Sequence, residues 1–116
     1  MPKVALLFDI HGNLPALIAV LKRVMKSGAE EIVFGGDIVG YGASPAACVD
    51  LVRKLGGHCV LGNHDAYTKK IADDGEGSLY EGWGANPVWA GVVHAVRQLD
   101  RESLAWLWDR PWFLHL

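Results

Sequence analysis

Three short apolar runs, each closed by glycine and by side chains that bind metal ions, constrain this 116-residue chain more than any other feature. The runs are Val4 to Phe8, Ile32 to Phe34 and Cys59 to Leu61. Short runs rich in β-branched residues and bounded by Gly and Asn are typical of buried strands. The strings that follow them are Asp9-Ile10-His11-Gly12-Asn13, Gly35-Gly36-Asp37 and Gly62-Asn63-His64-Asp65. Because parallel strands end at one edge of a sheet, the repetition predicts a single polar crevice there.

Two amphipathic helices separate the predicted strands, since apolar residues recur there at steps of three and four. Asn13 can cap the first helix, and Gly28 can end it. Ser44 is the expected N-cap of the second helix, with Pro45 at its first position, and this helix ends before Gly56. The resulting order, β-α-β-α-β, places the chain in the α/β class.

The regular pattern weakens after the third strand. From Tyr67 to Pro87, charged residues, four glycines and an Asn-Pro step predict a loop with one short helical turn. A helical pattern returns at Val88, and Asp100 or Ser103 can cap a further short helix. The residues from Pro111 onward predict a turn into a strand.

Composition limits the classes of function. Apolar residues make up 51% and charged residues 21%, with a net charge of -2, so the basic excess of a nucleic-acid binder is missing. No stretch approaches the ~18 apolar residues of a membrane span. We therefore expect one cytoplasmic domain over residues 1–116, with neither a membrane nor a nucleic acid as partner. Cys48 and Cys59 lie in apolar surroundings without metal-type spacing, which indicates buried thiols.

Candidate ligands occupy each polar string. Asp9 and His11 are two positions apart, so an extended backbone would point both side chains to one side, within reach of one cation. Asp37 can bridge two cations, Asn63 offers an amide oxygen, and His64 offers a nitrogen or a proton. Such a mixed donor set suits manganese, iron or zinc better than calcium. Each string alone also fits a turn or a helix cap, and only the three together favour a site.

The three strings resemble the signature of the calcineurin-like metallophosphoesterase family, which has Asp-x-His, Gly-Asp and Gly-Asn-His-Asp/Glu after successive strands. The sequence Gly-Asp-Ile-Val-Gly-Tyr-Gly from Gly36 to Gly42 is most similar to that of the small prokaryotic phosphoesterases, often labelled phosphodiesterases or serine/threonine-type protein phosphatases. The resemblance implies hydrolysis of phosphate esters by a phosphodiesterase or phosphatase at a site with two divalent metal ions. In that site Asp9 and His11 would bind the first metal, Asp37 would bridge, Asn63 would bind the second, and His64 would contact the phosphate and assist the leaving group.

The resemblance covers only the N-terminal half of the family's four-layer α/β/β/α sandwich, the β-α-β-α-β unit followed by helices. The family's second half adds further histidines, one after a strand and two in a Gly-His-x-His turn, and these are absent from this sequence. Gly40 and Tyr41 also stand where eukaryotic-type protein phosphatases carry Asp and Arg. We therefore expect one metal ion or none in this chain alone.

Two kinds of function remain open at this point. The first is a phosphoesterase that needs a homo-oligomer or a complementing chain to complete its site. The second is a non-catalytic remnant or interaction module that keeps the fold and binds a partner through an exposed apolar face. A nucleotide-binding α/β domain ranks below both, because neither a Gly-x-Gly-x-x-Gly string nor a P-loop follows the first strand.

Overall fold

A three-stranded parallel sheet organises the fold in the computed structural model, which describes residues 2–74 and 87–115. The strands are β1 (Val4–Leu7), β2 (Glu31–Phe34) and β3 (His58–Cys59), and they lie in the order β1-β2-β3. Helices α1 (Leu14–Ser27) and α2 (Pro45–Leu55) connect them. The predicted β-α-β-α-β order is confirmed, and the register pairs Leu7 with Phe34 and Phe34 with Cys59.

Both connecting helices follow the predicted local signals. The Asn13 side chain accepts a hydrogen bond from the Ala16 amide at 3.1 Å, which satisfies one of the free donors at the start of α1. Gly28 ends α1 in the left-handed region, with φ of 77°. Ser44 is the N-cap residue of α2, but its side chain makes no capping hydrogen bond.

The segment after β3 corrects the sequence prediction. Residues 67–74 belong to helix α3 (Asn63–Asp74), so the predicted loop with one short turn is wrong there. The rest of that predicted loop, residues 75–86, lies outside the described residues. Helix α3 is stable in spite of its polar sequence because Ile71 is buried in an apolar cluster with Val92 and Val93.

The remaining elements are mostly as expected. A 3-10 turn (Pro87–Trp89) leads into α4 (Ala90–Gln98), and α5 (Arg101–Trp108) follows. Of the two predicted caps, Asp100 is the N-cap of α5 and accepts a hydrogen bond from the Ser103 amide at 2.7 Å. The strand predicted after Pro111 does not form in residues 111–115. The Pro111 carbonyl instead accepts a hydrogen bond from the Leu61 amide at 2.8 Å.

The helices cover one face of the sheet. The core on this face takes one buried side chain from each strand and further residues from α1, α2, α4 and α5. Cys48 and Cys59 are free and buried in this core, as predicted. On the edge strand β1 and just beyond it, Leu6 is 54% exposed and Phe8 is 61% exposed. Among the described residues, no helix is both long and apolar enough to cross a membrane.

Candidate metal centre

Three of the predicted ligands meet beyond the carboxyl ends of β1 and β2. One donor atom from each of Asp9, His11 and Asp37 lies within 4.8 Å of the other two. Asp9 Oδ1 is 3.7 Å from His11 Nε2, and Asp9 is exposed while the other two are half-buried. Two carboxylates and an imidazole at this spacing fit a divalent transition-metal ion.

The backbone brings these ligands together through turns rather than through extended chain. Asp9, His11 and Asp37 have φ values of 55°, 48° and 55°, in the left-handed region that residues other than glycine rarely adopt. The expected extended geometry between Asp9 and His11 is therefore wrong, although the two side chains do converge. Unfavourable φ values persist only where the surroundings determine them, and they cluster at functional sites.

Hydrogen bonds between the two ligand-bearing loops impose these turns. The His11 amide donates to the Asp37 carbonyl at 2.8 Å, and the Gly12 amide donates to the Ile38 carbonyl at 2.7 Å. The Gly42 amide in turn donates to the His11 carbonyl at 2.7 Å. Backbone contacts between the two loops thus contribute to the ligand positions.

A backbone carbonyl orients the His11 imidazole. The Nδ1 atom lies 3.0 Å from the Val39 carbonyl oxygen. Because a carbonyl can only accept, Nδ1 carries the proton of the neutral ring and Nε2 carries the lone pair. Metal-ligating histidines commonly have such a support. The Nε2 atom of His11 is therefore prepared to bind an ion beside Asp9.

Asp37 connects the ligand group to helix α3. Its Oδ1 accepts a hydrogen bond from the His64 amide at 2.9 Å, one of the amides that a helix start leaves unpaired. Asp37 thereby caps α3 from another loop, and the positive end of the helix stabilises its charge. In the described part of the chain, Oδ2 has no hydrogen-bond donor, which leaves it for an ion.

Asp65 lies beside the ligand group, and the sequence analysis assigned it no role. Its carboxylate is fully buried and accepts four backbone hydrogen bonds. The donors are the amides of Ile38 at 3.0 Å and Val39 at 3.2 Å on Oδ1, and of Asp37 at 2.9 Å and Gly62 at 3.0 Å on Oδ2. Burial raises the pKa of Asp65 to about 6, while these amides favour its charged form. An acidic residue in the first turn of a helix was the available signal.

His64 lies against the ligand group. Its ring centroid is 4.8 Å from that of His11, and burial lowers its pKa. The Nδ1 atom is buried without a hydrogen-bond partner, and a Cβ atom at Gly40 would overlap it.

Asn63, the first residue of α3, is exposed directly before His64. Its amide oxygen as a metal ligand stays a prediction.

Tyr41 adds an aromatic ring for which the sequence indicated no role. Its ring centroid lies 4.9 Å from that of His11 and 4.8 Å from that of His64.

The other histidines have structural or surface positions. His94 Nε2 is 3.0 Å from the Ala43 carbonyl, and His58 is exposed at the start of β3.

One curated protein shares part of this sequence. An uncharacterised protein of Methanocaldococcus jannaschii is 52% identical over 62 residues, a segment that covers 53% of this chain and 26% of that protein. The chain therefore spans about a quarter of that relative's length.

Two solved structures share the fold. A metallophosphoesterase from Sphaerobacter thermophilus is 34% identical with a TM-score of 0.70, over 95% of this chain and 42% of that one. A candidate diadenosine tetraphosphatase is 26% identical with a TM-score of 0.70, over 96% of this chain and 46% of that one. The chain thus spans less than half of either structure. The family model of the calcineurin-like phosphoesterases matches residues 2–113, so this protein belongs to that family.

Proposed function

We propose that residues 1–116 form a single domain of a phosphoesterase that hydrolyses phosphate monoesters or diesters at a centre of two metal ions. The observation that carries the proposal is the convergence of Asp9, His11 and Asp37 within 4.8 Å, with the lone pair of His11 on Nε2. Membership of the calcineurin-like phosphoesterase family supports both the metal dependence and a phosphate-ester substrate. Manganese as the ion and the cytoplasm as the location remain predictions.

In this proposal each residue has a distinct task. Asp9 and His11 would hold the first ion, Asn63 would hold the second, and the Asp37 carboxylate would be a ligand of both. Ions in such a centre polarise the phosphoryl group and lower the pKa of a bound water. Three of the four hydrogen bonds to Asp65, from the amides of Asp37, Ile38 and Val39, hold the Asp37 loop against the start of α3, so Asp37 keeps its position.

His64 is proposed to contact the phosphate and to assist the leaving oxygen. A neutral ring with its proton on Nε2 leaves Nδ1 as a lone pair, which agrees with a buried Nδ1 that has no acceptor. The Nε2 proton can then be donated to an oxygen of the substrate. Contact with the His11 ring keeps this imidazole next to the metal ligands.

Residues 1–116 do not contain the further histidines of the family's site, so this segment is proposed to hold only part of the ligand set. A homo-oligomer or a complementing chain would supply them. We expect one ion to bind per isolated chain, because the ligands of the first ion are the ones that converge.

The alternative function is a non-catalytic module that binds a partner. Leu6 and Phe8 are exposed along the edge strand β1 and line a groove of about 250 Å³ together with Val20 of α1. An edge strand with exposed apolar side chains favours association with another chain. A partner bound in this groove is compatible with either function, because it could be the chain that completes the enzyme's ligand set or the target of the binding module.

Manganese loading tests the proposal. Metal analysis of the desalted chain should show one manganese ion per wild-type chain, and Asp37→Asn or His11→Ala should lose it. Asp73→Asn provides the control, because this exposed carboxylate lies on α3 away from the ligand group. A wild-type chain that retains no manganese would refute the proposal that residues 1–116 alone hold one ion.

Turnover and mass in solution separate the two functions. Hydrolysis of bis(p-nitrophenyl) phosphate that Asp37→Asn abolishes would support the enzyme. Light scattering that shows a defined complex without turnover would support the binding module. A Leu6→Lys variant that stays monomeric would then place the contact on β1.

A further inference from the structure

Tyr41 holds an exposed aromatic ring against the two imidazoles of the site. It is 65% exposed, although its ring contacts those of His11 and His64 at 4.9 Å and 4.8 Å between centroids. The ring therefore forms part of the wall of the site and also faces solvent. A group attached to a phosphate near His64 would extend past this wall.

The surroundings force Tyr41 into its position. Its φ of 56° is in the left-handed region, which glycine or asparagine would occupy at lower cost. Helix α4 packs directly on this turn, since a Cβ atom at Gly91 would overlap the Tyr41 amide nitrogen. His94 of the same helix contacts the Ala43 carbonyl at 3.0 Å, two residues further along. An unfavourable φ held in place by a neighbouring helix is typical of a residue with a function at the site.

We propose that Tyr41 is a specificity-determining platform that stacks on a planar ring of the substrate, so that the site prefers aryl or nucleobase esters of phosphate to aliphatic ones. This inference rests on the proposed phosphoesterase function. Stacking depends on the π-face and accepts any flat ring, so it selects a class of ester rather than one compound.

Two variants separate the ring from the hydroxyl group. Tyr41→Phe keeps the ring and removes the hydroxyl, so a platform keeps its preference. Tyr41→Asn removes the ring, and asparagine tolerates φ near 56° better than other residues, so the turn is preserved. Circular dichroism of both variants checks that the fold is unchanged.

A matched pair of ligands measures the preference directly. Phenyl phosphate and cyclohexyl phosphate carry the same anion and rings of the same carbon number, and only the first ring is flat. Calorimetric titration of the manganese-loaded chain should show phenyl phosphate binding about 5-fold more tightly than cyclohexyl phosphate in the wild type and in Tyr41→Phe. The ratio should fall to about 1 in Tyr41→Asn. Because cyclohexyl is the more apolar ring, hydrophobicity alone would give the opposite order.

Inorganic phosphate distinguishes failure of this inference from failure of the proposed function. If the wild type binds inorganic phosphate but binds both ring esters equally, the platform is refuted and the phosphoesterase function stands. If Tyr41→Phe loses the preference, the hydroxyl group and not the ring is responsible, and the platform is again refuted. If the wild type binds neither manganese nor inorganic phosphate, both proposals fall together.

Discussion

Replacement of Asp65 by asparagine tests whether one buried carboxylate holds the candidate site in place. The wild-type side chain accepts two backbone amides on each oxygen, Ile38 and Val39 on one, Asp37 and Gly62 on the other. Asparagine offers one carbonyl oxygen and one NH2 group. Two of the four amides would therefore lose their acceptor and face another donor.

The size of the effect follows from this count. A buried donor left without an acceptor costs about 1–3 kcal/mol, so two of them predict a loss of about 2–6 kcal/mol. Part of this is recovered, because burial opposes the charge of Asp65, as its raised pKa of about 6 shows, and asparagine has no charge. A rise of the pKa from 3.8 to about 6 corresponds to about 3 kcal/mol. We therefore expect a net loss of at most about 3 kcal/mol in the free energy of unfolding. A domain of this length has about 6–17 kcal/mol, so the variant should still fold.

Urea unfolding followed by tryptophan fluorescence measures this loss. The matched control is Asp73→Asn, the same chemical change on the same helix, where the side chain is 57% exposed and pairs with Lys69 at 2.9 Å. The control should lose at most about 0.5 kcal/mol, as expected of an exposed pair. Equal losses in the two variants would refute the reasoning that Asp65 supports the Asp37 loop.

Three further predictions concern the surroundings of the site. Burial raises the pKa of Cys48 to about 11 and that of Cys59 to about 12. Both thiols should therefore react slowly with dithionitrobenzoate at about pH 8 until urea unfolds the chain. Rapid labelling of the native chain would contradict this prediction. Gly91→Ala should lower the melting temperature, although alanine favours helices, because the added Cβ would overlap the Tyr41 backbone. An unchanged or higher melting temperature would contradict the close contact between α4 and the Tyr41 turn. Hydrogen bonds in the first turn of α5 hold the pKa of Asp100 below its usual value. The contribution of the Asp100 carboxylate to stability is therefore present above about pH 4, and it is lost as the pH falls through the pKa of the folded state. The stability gap between wild type and Asp100→Ala should therefore narrow from about pH 6 to about pH 3, and a constant gap would argue against this cap.

Local signals predicted the first half of the fold. Asn13 and Gly28 determine the ends of α1 through contacts and backbone geometry within a few residues of each end. The bounds of this helix can therefore be predicted from the local sequence. The start of α3 depends instead on Asp37, which caps it across 27 positions of the chain. A polar, charged sequence with a distant cap resembles a loop when it is read locally, and this explains the wrong prediction after Tyr67.

The candidate ligands were predictable in position but not in geometry. The ends of two neighbouring strands, β1 and β2, bring Asp9, His11 and Asp37 together whatever the details of the turns. Neither aspartate nor histidine requires a positive φ, so the sequence contains no sign of the turned backbone. The roles of Tyr41 and Asp65 depend on contacts with other elements, which a pattern along the chain does not record.

The turned backbone also determines what a missing metal ion would mean. Backbone hydrogen bonds at 2.7 Å and 2.8 Å join the His11 loop to the Asp37 loop, and the Val39 carbonyl holds the His11 ring with its lone pair on Nε2. His11 and Asp37 are therefore in place before an ion arrives, and little of their conformational entropy is lost on binding. A wild-type chain that folds but binds no manganese would thus point to too few ligands or to a wrong ligand assignment. An unformed site would not explain it, because the contacts that form the site are those that hold the two loops together.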